Sequence, residues 1–211
     1  MLVADIIALA EAQADESYGP QDWVDLFNLC QDELTPLAKM LTTKAGIVVT
    51  VTSGKAEITI ASDTDLVTAH RILNVYYTPT ITGGKEVQLR RLQAFDSASK
   101  GWKLDGAKLY IQGLSTETAG TVRADFYKKL AHVVYVASPE SYTPTTPEIP
   151  EEFHDLYVAY LCYKCQQREE EPEDEADFKG EYKTRKEEFA VARIAQMEPW
   201  NLKYLQQGGG S

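Results

Sequence analysis

At 211 residues the chain suits one compact domain, or a body with a smaller appended domain, and it can bury a sizeable core without disulfide staples. Apolar residues make up 44% and charged residues 25%, and a formal net charge of −11 works against nonspecific binding to a nucleic-acid backbone. Three cysteines, Cys30, Cys162 and Cys165, give no disulfide framework and fit a reducing compartment; the start Met1-Leu2-Val3-Ala4-Asp5 lacks the basic region of a secretory signal, and no apolar run reaches the roughly 18 residues a membrane span needs.

In chain order, Leu2 to Ala14 predicts a short helix, with Leu2, Ile6, Leu9 and Ala10 on one face. Tyr18-Gly19-Pro20 breaks it. Asp22 is a candidate N-cap for a second helix, Trp23 to about Thr43, whose stripe is Trp23, Leu26, Phe27, Cys30 and Leu34 and which Pro36 should bend or restart. Near Gly46 the apolar period changes from helical to alternating. The β-branched runs 47–52 and 56–60 around Ser53-Gly54-Lys55 predict a hairpin. Further strands are expected over 72–77 and 87–92, parted by Gly83-Gly84, and over 121–127. In Trp102 to Ile111, Asp105-Gly106 predicts a type I′ hairpin turn. His132 to Val136 would add a short edge, and Ser138 to Pro150, with four prolines, reads as an extended linker.

Pro147 to Ile194 then predicts a helical hairpin. Glu151, Glu152 and Asp155 complement the positive end of the first helix, and Phe153, Leu156, Tyr157, Tyr160 and Leu161 make its apolar stripe. The run Glu169-Glu170-Glu171-Pro172-Glu173-Asp174-Glu175 turns the chain into a second helix carrying Phe178, Tyr182 and Phe189. Neighbouring amphipathic helices with a short connection pack antiparallel. The expected fold is α+β: a four-helix bundle built from N- and C-terminal helix pairs, an inserted antiparallel β-rich module and a flexible C-terminal tail. The expected boundaries are 1–45 for the first helices, 46–137 for the β-module, 138–149 for the Pro-rich linker, 150–195 for the helical hairpin and 196–211 for an extended tail.

No motif for catalysis stands out. Cys162-Tyr163-Lys164-Cys165 is a CxxC, but a zinc site needs two further ligands with metal spacing, and a redox CxxC opens a helix rather than lying inside one. Core cysteines are the plainer reading. His154, beside Glu151, Glu152 and Asp155, reads as part of a solvated first turn rather than an acid–base centre. There is no phosphate-binding glycine loop and no nucleophile elbow. The acidic run lacks the calcium-loop pattern, and it fits water or a partner's basic surface. Arg90-Arg91 and Lys128-Lys129 could supply such a surface, although ordinary exposed strand charge is the simpler assignment. No cofactor, metal or catalytic residue is expected. Trp200 and Tyr204, in a stretch without a partner helix, suggest an anchor that docks on another subunit.

The order of elements, with Gly101-Trp102-Lys103-Leu104-Asp105-Gly106-Ala107-Lys108-Leu109-Tyr110-Ile111, Val122-Arg123-Ala124-Asp125-Phe126-Tyr127 and Glu148-Ile149-Pro150-Glu151-Glu152-Phe153-His154-Asp155-Leu156, resembles the head–tail adaptor (connector) proteins of tailed bacteriophages. The resemblance spans most of residues 1 to 195. It implies a non-enzymatic virion protein of the neck, made in the bacterial cytoplasm. Such proteins form a cyclic homo-oligomer, usually a dodecamer, below the portal protein; they extend the DNA channel and dock the next neck or tail component. DNA would pass without sequence-specific binding, and no membrane is involved. On this resemblance Pro199, Trp200, Leu202, Tyr204 and Leu205 are portal-contact candidates, and Glu169, Glu170, Glu171, Glu173, Asp174 and Glu175 are acidic channel or ring-surface candidates. Another neck or tail protein (stopper, tail terminator or nozzle-proximal protein) is the alternative, and a small metal-dependent enzyme using Cys162, Cys165 and His154 is a third.

Overall fold

The structure, a computed structural model, describes residues 1–14, 18–80, 84–93, 99–114, 117–169 and 172–207. The chain divides into two compact units, residues 1–39 with 130–211, and residues 40–129.

The first unit holds the helices α1 (Val3–Ala14), α2 (Pro20–Ala38), α3 (Asp155–Glu169) and α4 (Pro172–Gln207). In α1 the buried residues Val3, Ile6, Ile7, Ala10 and Ala14 recur at helical spacing and form one stripe. Helix α2 begins earlier than expected. Gly19 is its N-cap and Pro20 occupies the first turn, where a missing N–H loses nothing, so Asp22 lies within the first turn instead of capping it. Pro36 falls in the last turn and does not restart the helix. Lys39 adopts a left-handed φ of 46° and ends it, and the chain is already a strand at Met40.

The main helix contacts are α1 with α3, α2 with α3 and α4, and α3 with α4. Ring packing fixes them: Phe27 stacks on Tyr157 with centroids 4.3 Å apart, Tyr160 meets Tyr182 edge-on at 4.9 Å, and Phe153 meets Phe189 at 5.1 Å. Phe27, Tyr157 and Phe189 are fully buried, and each burial of such a side chain contributes about 1.5–3 kcal/mol. A short antiparallel pair, β8 (Val134–Ala137) with β9 (Glu140–Thr143), occupies part of the stretch expected to be a linker. Helix α4 continues to Gln207, well past Ile194.

The second unit is a seven-stranded sheet in the order β1-β7-β3-β4-β5-β6-β2. Its strands are β1 (Met40–Thr50), β2 (Lys55–Thr59), β3 (Ala69–Pro79), β4 (Val87–Arg91), β5 (Gly101–Asp105), β6 (Lys108–Gln112) and β7 (Ala119–Lys128). β7 is central to one half, paired antiparallel with both β1 and β3. The sheet curls until its two end strands are neighbours, joined by the Ser53-Gly54 turn and a Thr52–Lys55 bridge. It encloses its own core of Tyr77, Trp102, Phe126, Val75, Leu66, Leu109 and Ile111.

This architecture overturns the expected four-helix bundle with a modest antiparallel insert and flexible tail. The helices cluster around α3 rather than forming four equal neighbours. The β-region is a large, nearly closed sheet that buries a core of its own, and it is mixed, because β4 and β5 pair in parallel. Its size follows from three long strands, β1, β3 and β7, whose pairing across some 80 residues of chain no local pattern announces. The expected hairpin at Ser53-Gly54 forms as a tight turn closed by the Thr52–Lys55 pair, but its strands do not stay paired. Both turn residues have positive φ (51° and 73°), as a tight hairpin turn requires. The flanking strands nevertheless part after one bridge, because β7 takes the edge of β1 and β6 takes that of β2. The hairpin of β5 and β6 does form, but its two turn residues are Gly106 and Ala107. Only Gly106 has positive φ (58°), which is the II′ pattern instead of I′.

Candidate functional site and assembly surfaces

The CxxC lies inside α3 with both cysteines buried. The Cys162 thiol points at the Ala10 carbonyl (3.7 Å) and at Gln13 Oε1 (3.8 Å), so it ties α3 to α1. Burial pushes that thiol up to about 12, and Glu181 adds to the rise. Burial likewise raises Cys30, with Glu33 adding to it. Thiols held protonated in this way are poor nucleophiles and poor metal ligands. Among the described residues no three His, Cys, Asp or Glu side chains gather as a metal-binding group.

His154 is buried, not part of a solvated turn. Its Nε2 lies 3.0 Å from the Ile149 carbonyl, which can only accept, so Nε2 is the donor; Nδ1 then accepts from the Met1 nitrogen at 3.0 Å. It braces the entry to α3 and is not brought together with Cys162 or Cys165 by any contact among the described residues.

A polar junction that the sequence reading missed holds three helices. Glu33 on α2 accepts hydrogen bonds from Tyr182 Oη (2.8 Å) and Lys186 Nζ (2.8 Å) on α4, and from Tyr160 Oη (3.3 Å) on α3. Partial burial works to raise the Glu33 pKa. The hydrogen bonds from Lys186 and Tyr182, with the Lys186 charge and Tyr160, outweigh it and hold the carboxyl below its ordinary range. Burial, with Glu33 beside them, raises both tyrosines. The sequence signal was a carboxylate three residues after Cys30 and seven after Leu26, on the border of the apolar stripe.

The acidic candidates sit at the α3–α4 connection. Glu169 closes α3, and Glu173, Asp174 and Glu175 open α4. Glu170 and Glu171 lie outside the described residues, as do the side chains of Glu169 and Glu173. Asp174 is exposed, and Glu175 pairs with Lys179 at 3.3 Å. Pro199, Trp200, Leu202, Tyr204 and Leu205 fall in the last turns of α4, with side chains outside the described residues. Arg90 and Arg91 are exposed on β4, and the Arg91 guanidinium stands 5.5 Å over Trp102.

Charge is divided between the two units. Residues 1–39 with 130–211 contain 9 Lys and Arg against 24 Asp and Glu, a net of −15. Residues 40–129 contain 12 against 8, a net of +4. The chain is thus not uniformly acidic, and its unit of opposite sign carries the exposed Arg90 and Arg91. Among the described residues no helix is long and apolar enough to cross a membrane.

A family model described as SU10 adaptor protein matches residues 1–202. No curated protein matches the sequence.

Proposed function

Because the chain belongs to the SU10 adaptor protein family, whose role is that of a structural phage adaptor, we propose that it serves in the neck of a tailed phage, as a cyclic homo-oligomer below the portal. In this role it extends the DNA channel and receives the next neck or tail component. The observation that carries the reading is the family match over nearly the whole chain, including both units and most of α4. Three features support it. The burial of Cys162 and Cys165, the raised Cys162 thiol and the bracing role of His154 leave the metal-dependent enzyme without its proposed groups, so we take the protein to be non-enzymatic. Two units of opposite net charge suit the unlike faces of a head-to-tail ring. The aromatic and apolar residues Pro199, Trp200, Leu202, Tyr204 and Leu205 at the end of a long helix suit an arm that grips the portal. Twelve copies is the stoichiometry proposed, and the acidic residues 169–175 are assigned to the ring surface.

The test is capture of the full chain by purified portal protein and, separately, by tail protein. Portal capture that is lost when residues 197–211 are removed supports the reading. Capture by tail protein alone would move the chain to the stopper or tail-terminator role, which the large, nearly closed sheet favours.

A further inference from the structure

The seven-stranded sheet is interrupted where β4 stops. β4 pairs with β3 only from Val87 to Leu89 and with β5 only at Arg90 and Arg91, and the Leu92 N–H donates a last bond to the Trp102 carbonyl at 2.8 Å. Both neighbours run on past that point. Residues 69–73 of β3 face β7 on one side and, among the described residues, no strand on the other. Beyond Trp102, β5 likewise has β6 on one side and no strand on the other among the described residues. Because the sheet order is β3-β4-β5, the gap between these two edges is one strand wide. A depression of about 320 Å³ opens there, lined by His70, Arg71 and Ile72 of β3, Arg91 at the end of β4, Leu104 of β5, and Ile60. Arg71 and Ile72 are held in register against Tyr127 and Phe126 of β7 and, as neighbours on a strand, point to opposite faces. Ile72 is buried and joins Ile60 and Leu104 in an apolar floor, whereas Arg71 is exposed. Arg91 is exposed too, its guanidinium 5.5 Å over the Trp102 ring, and neither arginine forms an ion pair among the described residues. Other cations of this unit have carboxylates: Lys44 has Asp65 at 2.6 Å, Lys100 has Glu117 at 3.2 Å and Arg123 has Glu86 at 2.7 Å.

We propose that this gap is a binding slot for an extended segment of another protein, which enters as the missing continuation of β4 and alternates acidic with apolar side chains. The open edges dictate the extended form, because the N–H and C=O groups along them are matched by another strand and not by a helix. The pleat dictates the alternation. Side chains on one face of the entering strand meet Ile60, Ile72 and Leu104, and those on the other emerge beside Arg71. The sign follows from charge: two exposed arginines without carboxylates, in a unit of net +4, match Asp and Glu. Such a match sets partner choice and register more than raw affinity. Stacking on Trp102 leaves the Arg91 charge intact and places it where β4 ends. Duplex DNA is the poorer occupant. Its phosphates offer no apolar side chains to the floor and no amides to the open edges, and a chain of net −11 repels them. The inference goes beyond the adaptor reading and does not rest on it, since the slot belongs to the strand unit alone.

The experiment titrates the full-length protein into a fluorescent peptide that alternates Glu and Val and is long enough to overrun the slot, with binding read by polarisation. Two companion peptides serve as controls. One alternates Lys and Val; the other is the Glu-Val peptide N-methylated throughout, which keeps its side chains and removes every backbone donor. The Glu-Val peptide should bind at least about tenfold tighter than either companion, and Arg71→Glu should weaken it about tenfold or more. Arg71→Gln, the milder change, serves if charge reversal disturbs folding. Hydrogen exchange should slow at the amides of residues 69–73 when the peptide binds and stay unchanged along β1, the end strand of the same sheet. The proposal is overturned by a Glu-Val peptide that fails to bind at about 1 mM, binds no better than its companions, keeps its affinity in both Arg71 variants, or protects β1 instead. Binding of a short DNA duplex that is lost in Arg71→Glu would also overturn it and assign the depression to nucleic acid. Self-association lost in the same variant would overturn it in favour of a second copy. Portal capture is a separate readout, so this proposal and the adaptor reading fail independently.

Discussion

Glu33 offers the sharpest test of how the helical unit is held. Replacing it with Ala removes the acceptor of three hydrogen bonds that join α2 to α3 and α4. A shielded hydrogen bond to a charged group contributes roughly 1.5–3 kcal/mol. The side chains of Glu33 and Lys186 are 43% and 30% exposed, so solvent screens that pair to about 0.2–1 kcal/mol. The Tyr182 bond is better protected, since Tyr182 is 5% exposed. Glu33→Ala should therefore cost about 1.5–3 kcal/mol in all. At roughly 3–6 °C per kcal/mol for a unit of this size, the midpoint of helix melting falls by roughly 5–18 °C. Melting followed by circular dichroism at neutral pH measures it. The pH dependence has a definite sign. The folded carboxyl lies below its ordinary value of 4.5, so its contribution is complete above that value and is lost as the pH falls through the folded pKa. The gap between wild type and Glu33→Gln should narrow below about pH 4.5. A Glu33→Ala midpoint within about 1 °C of wild type, or a gap that widens in acid, would refute the reasoning.

Three further outcomes are expected. Gly120 lies against the Tyr77 ring, where an added Cβ would come within 2.4 Å of it, while Tyr77 is fully buried and donates to the Ala119 carbonyl at 3.0 Å. Gly120→Ala should thus destabilise the strand unit by about 1–3 kcal/mol, read as a lower denaturation midpoint with α-helical signal retained. Gln31 is 1% exposed with neither amide atom hydrogen-bonded among the described residues; Gln31→Met should stabilise the helical unit by about 1–2 kcal/mol, and a lower melting point would contradict it. Iodoacetamide at mildly alkaline pH should label Cys30 and Cys162 at least about a hundredfold faster in denaturant than in the native protein, and equal rates would show that the thiols are not buried as described.

The helical elements were legible in the sequence because their signal is local. The stripes through Trp23, Phe27 and Leu34, and through Leu156, Tyr157 and Tyr160, mark buried faces directly, and Phe27 does pack on Tyr157. The sheet was legible only as strands. Nothing near Val48 or Ile58 states that their partners are Thr121 and Leu109, and the apparent hairpin between them was decided by β7 and β6. The parallel contact of Arg90 with Gly101 is equally silent in the sequence. His154 was misplaced because a first-turn histidine among carboxylates looks solvated, whereas a carbonyl five residues earlier caps it. The division of charge was present in the sequence throughout. It became visible only when the fold grouped residues 1–39 with 130–211.

The most direct test of the central claim is electron cryo-microscopy of purified virions of the phage that encodes this chain. The account predicts density for this protein in the neck, as a ring contacting the portal, with the end of α4 reaching toward it. A virion whose neck contains no copy of the chain would contradict it.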